Sequence, residues 1–383
     1  MRVVWNQKVF PAYRLPLLEA LVREDRTSFV VSADWIRSVA FNSGMDLRPW
    51  VEDLADVVDI RARVAGPFVW QSGMVGMLWA PSIDVVVTVG DPHHVSTWLL
   101  LVGSRLNSRL KVVLWTHGWQ KEDTGLKRLL RNGFYRLADG LLVYGERSAR
   151  RGAKYGFVSR RVAVVHNSSE SVGSMGFQEL SPEERANALR DMQLEPDWAV
   201  VIVATRLQLS KRLDVLLHSF RELEKVGRAM NLIVVGDGPA RRSLEDQARG
   251  LRSKVRFFGP EFDSARLRQL HSLADVCVIP DSAGLAVLSA LGFGVPVVTN
   301  SELDAHGPEV EALVEGRNGA FFERSDATDL ARVLATWLDE HRDRTAVGRA
   351  CVASATSRYT SEAQARAIAR ALLEFTGAAD RVN

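Results

Sequence analysis

Short apolar, β-branched runs alternate with stretches of helical spacing along this chain, and the alternation happens twice over. The first series comprises Val3–Trp5, Ser28–Val31, Val85–Val89, Lys111–Trp115, Gly140–Val143 and Arg161–Val165. The second comprises Ala199–Ala204, Leu232–Val235, Val255–Phe258, Val276–Ile279 and Val295–Thr299. Between them lie helical patterns such as Leu15–Val22, Leu126–Leu137, Arg212–Lys225, Ala240–Leu251 and Ala265–Leu273. A strand that is apolar without interruption must be covered on both faces, and helices between strands supply that cover, so each series predicts a parallel sheet. The expected fold class is α/β, with two doubly wound, Rossmann-like domains. A length of 383 residues suits two domains or three. The expected division is residues 1–170, a linker and helix over 171–197, and a second domain over 198–360, with a last helix at about 361–378 packing back on the first. In such sheets a ligand is expected at the carboxyl ends of the strands, between the two domains.

Composition narrows the class further. Hydrophobic residues make up 46% and charged residues 25%, which excludes disorder, collagen and coiled coil as the main state. Two cysteines, Cys277 and Cys351, allow one disulfide at most and no cysteine-based zinc cluster. The opening Met1-Arg-Val-Val-Trp-Asn reads as a strand rather than a signal or transit peptide, so a cytoplasmic location is expected. Ser282 to Ser301 carry no charge over twenty positions, yet Gly292, Gly294 and Pro296 interrupt them. A short helix followed by a buried strand fits that stretch better than a membrane span.

Charge and tryptophan are both uneven. Residues 100–165 hold 14 basic and 4 acidic side chains. They read either as a solvated helix face or as a surface attracting anionic lipid or phosphate, which would place the protein peripherally on a membrane. No nucleic-acid-binding signature accompanies them, and no nucleic-acid partner is expected. Eight of the ten tryptophans lie in the first 119 residues, including Trp35, Trp50, Trp70 and Trp79. Most are expected in the core, the alternative being an interfacial or acceptor-facing role.

Three motifs carry chemistry. Ala204-Thr-Arg206-Leu-Gln-Leu-Ser-Lys211-Arg212 follows a buried strand and precedes a helix. Two cations beside a helix N-terminus make an anion site suited to a diphosphate. Gly236-Asp-Gly238-Pro239 is a tight strand-to-helix turn, but Arg241 stands where a dinucleotide fingerprint needs a third glycine. Pro280-Asp281-Ser-Ala-Gly284-Leu285 ends a strand and starts a helix whose first N–H groups are free to face a ligand, with Ser289 further along. His306-Gly307-Pro308-Glu309 follows. Each piece alone is compatible with a purely structural role.

Their order and spacing together resemble the retaining glycosyltransferases of family 4, which have the GT-B fold of two facing Rossmann-like domains. The resemblance covers most of the chain and is strongest from 199 to 331, and the Gly-Leu helix start and Gly-Pro-Glu motif resemble a subgroup tied to surface-polysaccharide synthesis. It implies that Arg206 and Lys211 clamp the donor diphosphate. It further implies that Gly236, Gly238, Phe258, Gly259, Gly284, Leu285, Ser289 and Glu309 line the donor site. Family members usually carry two glutamates separated by seven residues, one meeting the transferred sugar and one the ribose; here Asp281 and Ser289 stand in those places. His117, in Trp115-Thr-His-Gly118, matches a histidine facing the transferred sugar, so the resemblance gives Arg206, Lys211, His117 and Asp281 catalytic roles. The family's N-terminal glycine-rich loop is absent, and Phe10-Pro-Ala-Tyr13-Arg14 occupies its place.

The activity implied is metal-independent, retaining transfer of a sugar from a nucleotide-diphosphate donor to a glycan or lipid-linked acceptor. No Asp-x-Asp triplet occurs, and neither a metal nor another cofactor is expected. Three alternatives stay open: a non-catalytic nucleotide-sugar-binding subunit, hinted at by Ser289; a sugar-nucleotide epimerase of the same fold, for which the acidic positions look too few; and, least favoured because the glycine fingerprint fails at Arg241, a dinucleotide oxidoreductase.

Overall fold

A computed structural model describes residues 1–7, 10–24, 27–34, 46–107, 109–169, 172 and 176–377. The chain divides into two compact units: Met1–Ser168 joined by the segment from Ser361 onward, and Ser169–Thr360. Trp35 and most of the small polar stretch 168–176 lie outside the described residues.

The first unit is built on β1 (Arg2–Gln7), β2 (Ser28–Ala33), β3 (Asp56–Asp59), a hairpin of β4 (Ala62–Ala65) and β5 (Phe68–Gln71), then β6 (Val85–Val89), β7 (Lys111–Thr116), β8 (Gly140–Val143) and β9 (Val162–Val164). Seven of these strands form one parallel sheet in the order β3-β2-β1-β6-β7-β8-β9. The sequence shows why both faces are covered: Val3 and Trp5 pack into one layer and Val4 into the other. The first layer includes Ala365, Ile368 and Leu372 of the last helix, Ser361–Thr376. Gly140 lets that helix approach, because a Cβ there would run into the Phe375 ring. Buried Gln364 completes the seam, accepting from the Ser168 hydroxyl at 2.7 Å and donating to the His166 carbonyl at 2.7 Å. The tryptophans divide: Trp5, Trp115 and Trp119 are core, whereas Trp50, Trp70 and Trp79 are exposed, the last two on and just after the hairpin.

The second unit holds β10 (Val200–Ala204), β11 (Asn231–Val235), β12 (Lys254–Gly259), β13 (Val276–Ile279), β14 (Val297–Asn300) and β15 (Gly319–Phe322). All six are parallel, in the order β12-β11-β10-β13-β14-β15. Alternate residues again feed opposite layers, Val200 and Ile202 one way, Val201 and Val203 the other. The direction of strand order reverses between β10 and β13, and such a switch point opens a crevice outside the carboxyl ends of those strands. The uncharged stretch 282–301 is a helix, Leu285–Gly292, leading into buried β14. Among the described residues no helix is long and apolar enough to cross a membrane.

One buried histidine makes this unit acid-sensitive. His271, on the helix Ser264–Ser272, donates from Nδ1 to the Leu267 carbonyl at 2.7 Å and packs 4.9 Å from the Phe293 ring. Burial pushes its pKa down to about 4. An unfolded histidine titrates near 6.5, so the unfolded state binds the extra proton first and stability present above pH 6.5 is lost as pH falls toward 4. Urea unfolding at pH 7 and pH 4.5 is expected to show the wild type losing about 2–3 kcal/mol more than His271→Gln. Equal losses would exclude His271 as a source of the sensitivity.

Candidate functional site at the switch point of the second unit

Two loops at the carboxyl ends of β10 and β13 build the site. The β10 loop carries Arg206, Lys211 and Arg212, and their fates differ. Arg212 adopts a left-handed conformation (φ 52°) before the helix Leu213–Lys225 and is held by Asp214 at 3.0 Å and the Ser325 hydroxyl at 2.9 Å. Lys211 is half-buried, and its Nζ donates to the Ser282 carbonyl at 2.8 Å, tying the β10 loop to the β13 loop. Burial draws its pKa below the ordinary lysine range, and the nearby Asp281 carboxylate opposes that shift. Arg206 is exposed, and its guanidinium has no partner among the described residues. Two cations are therefore fixed by the fold, and the third, Arg206, is free for an anion.

The glycine turn after β11 shapes the floor of the β10 loop. Gly236 has φ 128°, and a Cβ on it would meet the Thr205 carbonyl, as one on Gly238 would meet that of Leu207. The two backbones are stitched by Thr205 N–H to Val235 at 3.0 Å, Leu207 N–H to Asp237 at 2.9 Å and Ala240 N–H to Leu207 at 3.0 Å. The close approach these glycines permit in this structure is that of the Arg206 loop itself. Gly236 N–H also donates to the Gly259 carbonyl at 2.7 Å, which sets the Phe258-Gly259 turn beside it.

The β13 loop presents a helix start. The N–H groups of Gly284 and Leu285 have no acceptor among the described residues. At a helix N-terminus they add a partial positive charge to the crevice. The buried Glu309 carboxylate lies beside Gly284 and Gly307. Ser289 is part-buried, its Oγ 3.3 Å from that of Ser169.

Asp281 is buried and doubly engaged. Its Oδ1 accepts from the Ser282 N–H at 2.6 Å, and its Oδ2 takes the Arg324 guanidinium at 2.8–2.9 Å. Arg324 in turn reaches Glu302 at 2.7 Å. Behind the loop, His306 acts as a bolt. Its Nδ1 accepts from Ala283 N–H at 3.0 Å, so its Nε2 carries the proton that goes to the Asn300 carbonyl at 2.9 Å. Asn300 donates to the Pro280 carbonyl at 2.8 Å, and Gly307 N–H to that of Ala283 at 2.7 Å. Sequence reasoning missed Arg324, His306 and Asn300 as positioning residues. Arg324 follows β15, a four-residue strand not read from the sequence. The roles of His306 and Asn300 exist only once β13 and β14 are paired.

His117 belongs to the first unit, just after β7. Its ring packs 4.8 Å from Tyr144, and Gln120 Nε2 lies 3.2 Å from its Nδ1. Withdrawal from bulk water and, second, the charge of Arg14 hold its pKa below the usual histidine range, favouring the neutral ring.

Residues 185–351 match the family model described as glycosyl transferases group 1. D-inositol 3-phosphate glycosyltransferase 2 of Catenulispora acidiphila is 29% identical over 217 residues, 53% of this chain and 48% of the relative. The alpha-D-kanosaminyltransferase of Streptomyces kanamyceticus is 28% identical over 173 residues, 43% of this chain and 42% of the relative. The chain spans about half the length of the curated relatives it matches. Among solved structures, Anabaena HepE in complex with UDP aligns with a TM-score of 0.69 at 17% identity, covering 97% of this chain and 99% of HepE. The lipopolysaccharide outer core galactosyltransferase WaaB aligns with a TM-score of 0.69 at 13% identity, over 97% and 99% of the two chains. The match to the group 1 glycosyl transferases spans residues 185–351, and the two Rossmann-like parallel sheets are those of the GT-B fold.

Proposed function

We propose that this chain transfers a sugar from a nucleotide-diphosphate-sugar donor to a glycan or lipid-linked acceptor, with retention at the anomeric carbon. One observation carries it: at the switch point of the second unit, unpaired Arg206, Lys211 and two free helix N-terminal N–H groups gather on the β10 and β13 loops. As the sugar–phosphate bond breaks, negative charge grows on the departing diphosphate. Preorganised cations and N–H dipoles stabilise that charge without reorganising. The Gly236 turn and Phe258-Gly259 border the same loop and are assigned to the nucleotide. Glu309, beside Gly284, and Asp281 are assigned to the sugar, and Ser289 to the ribose. The family resemblance adds His117 as a group toward the transferred sugar. HepE, a fold neighbour, was solved with UDP-glucose, which supports a nucleotide-sugar donor here.

Thermal melts with a panel of nucleotide sugars and nucleoside diphosphates test the assignment. A true donor at 100 times its Kd is expected to add about 2.7 kcal/mol to stability. No stabilisation by any member would remove the donor site. A second reading, binding without transfer, is favoured by the tie of Asp281 to Arg324 and by Ser289 facing Ser169. Donor turnover by the purified chain separates the two.

We also place the acceptor side against an anionic membrane surface. On the helix Gly125–Leu137, Leu126 is 79% and Leu129 67% exposed, interleaved with Lys127 and Arg128. Exposed leucines among cations suit the boundary between headgroups and acyl chains, where each Lys or Arg adds about 1 kcal/mol. Sedimentation with anionic vesicles is expected to carry the protein down, with Leu129→Glu weakening the effect and salt screening it. Equal partition to neutral vesicles would leave a solvated helix face.

A further inference from the structure

The first unit holds a second set of polar groups at the carboxyl ends of its strands, around the segment that replaces the glycine-rich loop. Arg14, just before the helix Leu15–Val22, lays its guanidinium 4.1 Å from the centre of the Trp115 ring and donates to the Tyr144 hydroxyl at 2.9 Å. It has no carboxylate partner among the described residues, and its Nη1 is buried without an acceptor. Trp115 Nε1 is likewise buried and unpartnered, and so is Nε2 of Gln7, the last residue of β1. Gln7 stands two residues after Trp5, on the same face of its strand, and Trp5 packs 4.5 Å from Trp115. His117 borders the group through its contact with Tyr144.

All three unpartnered groups are donors. Buried charges are ordinarily paired and buried N–H groups ordinarily bonded, so a cation and two N–H groups lacking acceptors on one face of a sheet mark a place built for oxygen and negative charge. The Trp115 face and the Tyr144 hydroxyl soften the cost of holding the guanidinium there, but neither is an anion.

We propose that this end of the first unit recognises an oxyanion, a phosphate or carboxylate group carried by the acceptor, with Arg14 as its charged anchor and Gln7 and Trp115 as flanking donors. The oxyanion site stands on the first unit alone; only its assignment to the acceptor rests on the glycosyl-transfer reading. Arg14 would position the acceptor beside His117 and select for charged acceptors over neutral ones.

The test uses the full chain carrying Arg206→Ala and Lys211→Ala, which silences the anion site of the second unit. Calorimetry with inorganic phosphate and, separately, with acetate is expected to detect binding. Adding Arg14→Met is expected to weaken it about tenfold or more through loss of charge-assisted hydrogen bonds. The arm that binds tells phosphate from carboxylate, and binding in neither overturns the site. In thermal melts without anion, Arg14→Met is expected to match or exceed its parent, because an uncompensated charge has been removed. The anion should then raise the Tm of the parent only. A marked fall in Tm with Arg14→Met would make Arg14 a packing group and overturn the proposal. With Arg206 and Lys211 restored, Arg14→Met is expected to leave UDP and GDP binding unchanged. A tenfold loss there would give the anion to the donor instead. Because these are binding measurements, an inactive protein would leave the oxyanion site standing while sinking the transfer reading.

Discussion

Lys211→Ala is expected to slow sugar transfer by about 10²–10³-fold, the effect of removing one preorganised stabiliser of developing charge. The half-buried ammonium is held by the Ser282 carbonyl, so under the proposed transfer it would already be in place as the diphosphate departs. Burial also weakens its competition with water, as the lowered pKa reflects. The side chain fills no apolar core, and folding should change little. Lys211→Arg keeps the charge, but its planar fork cannot reproduce the single contact to Ser282, so partial recovery is expected. Steady-state kinetics at saturating donor decide: near-wild-type turnover would remove Lys211 from the chemistry.

Arg324→Ala carries the second large effect, on stability as well as turnover. Asp281 is buried, and Arg324 is the guanidinium that meets its Oδ2. Removing one partner of a fully buried pair costs about 3–5 kcal/mol, chiefly because the other charge is stranded. Arg324 is itself 41% exposed, so water can partly replace it, and about 2 kcal/mol is the expected loss. Asp281→Asn removes the stranded charge and should restore most of that stability in the double variant. Alone, Asp281→Asn is expected to lower turnover while leaving nucleoside-diphosphate affinity nearly unchanged, since the diphosphate is assigned to Arg206, Lys211 and the helix start. Denaturant titration combined with calorimetry reads both effects. If Asp281→Asn abolishes nucleotide binding while Ser289→Ala changes nothing, the assignments of sugar and ribose are reversed.

Several elements were legible before any coordinates. Val85–Val89, Gly140–Val143 and Val276–Ile279 form strands with the bounds their apolar runs predict, and Leu15–Val22 forms a helix likewise. A strand covered on both faces must be apolar at every position, and that is a local property of the sequence. The hairpin β4–β5 and the edge strands β3 and β15 were not legible. Asp56–Asp59 and Ala62–Ala65 are largely exposed, so no burial pattern marks them. The motif residues were legible for a related reason: a cation, a glycine turn or a helix start at the end of a strand has its chemistry written in residue type and spacing.

What each motif residue does once in place is another matter. The run Arg206, Lys211, Arg212 offers three cations of equal charge, and only tertiary contacts commit Arg212 to Asp214, fix Lys211 on Ser282 and leave Arg206 free. Asp281 reads as an available carboxylate until Arg324, forty-three residues on, is brought against it. His306 reads as one more polar residue until the pairing of β13 with β14 sets it between Ala283 and Asn300. By itself the sequence determined two parallel sheets and which motif-bearing loops stand at the carboxyl ends of their strands, because burial periodicity and turn chemistry act over a few residues. Only the tertiary structure decided which charges are neutralised and which remain to bind, because a side chain's partners come from segments that chain connectivity does not relate.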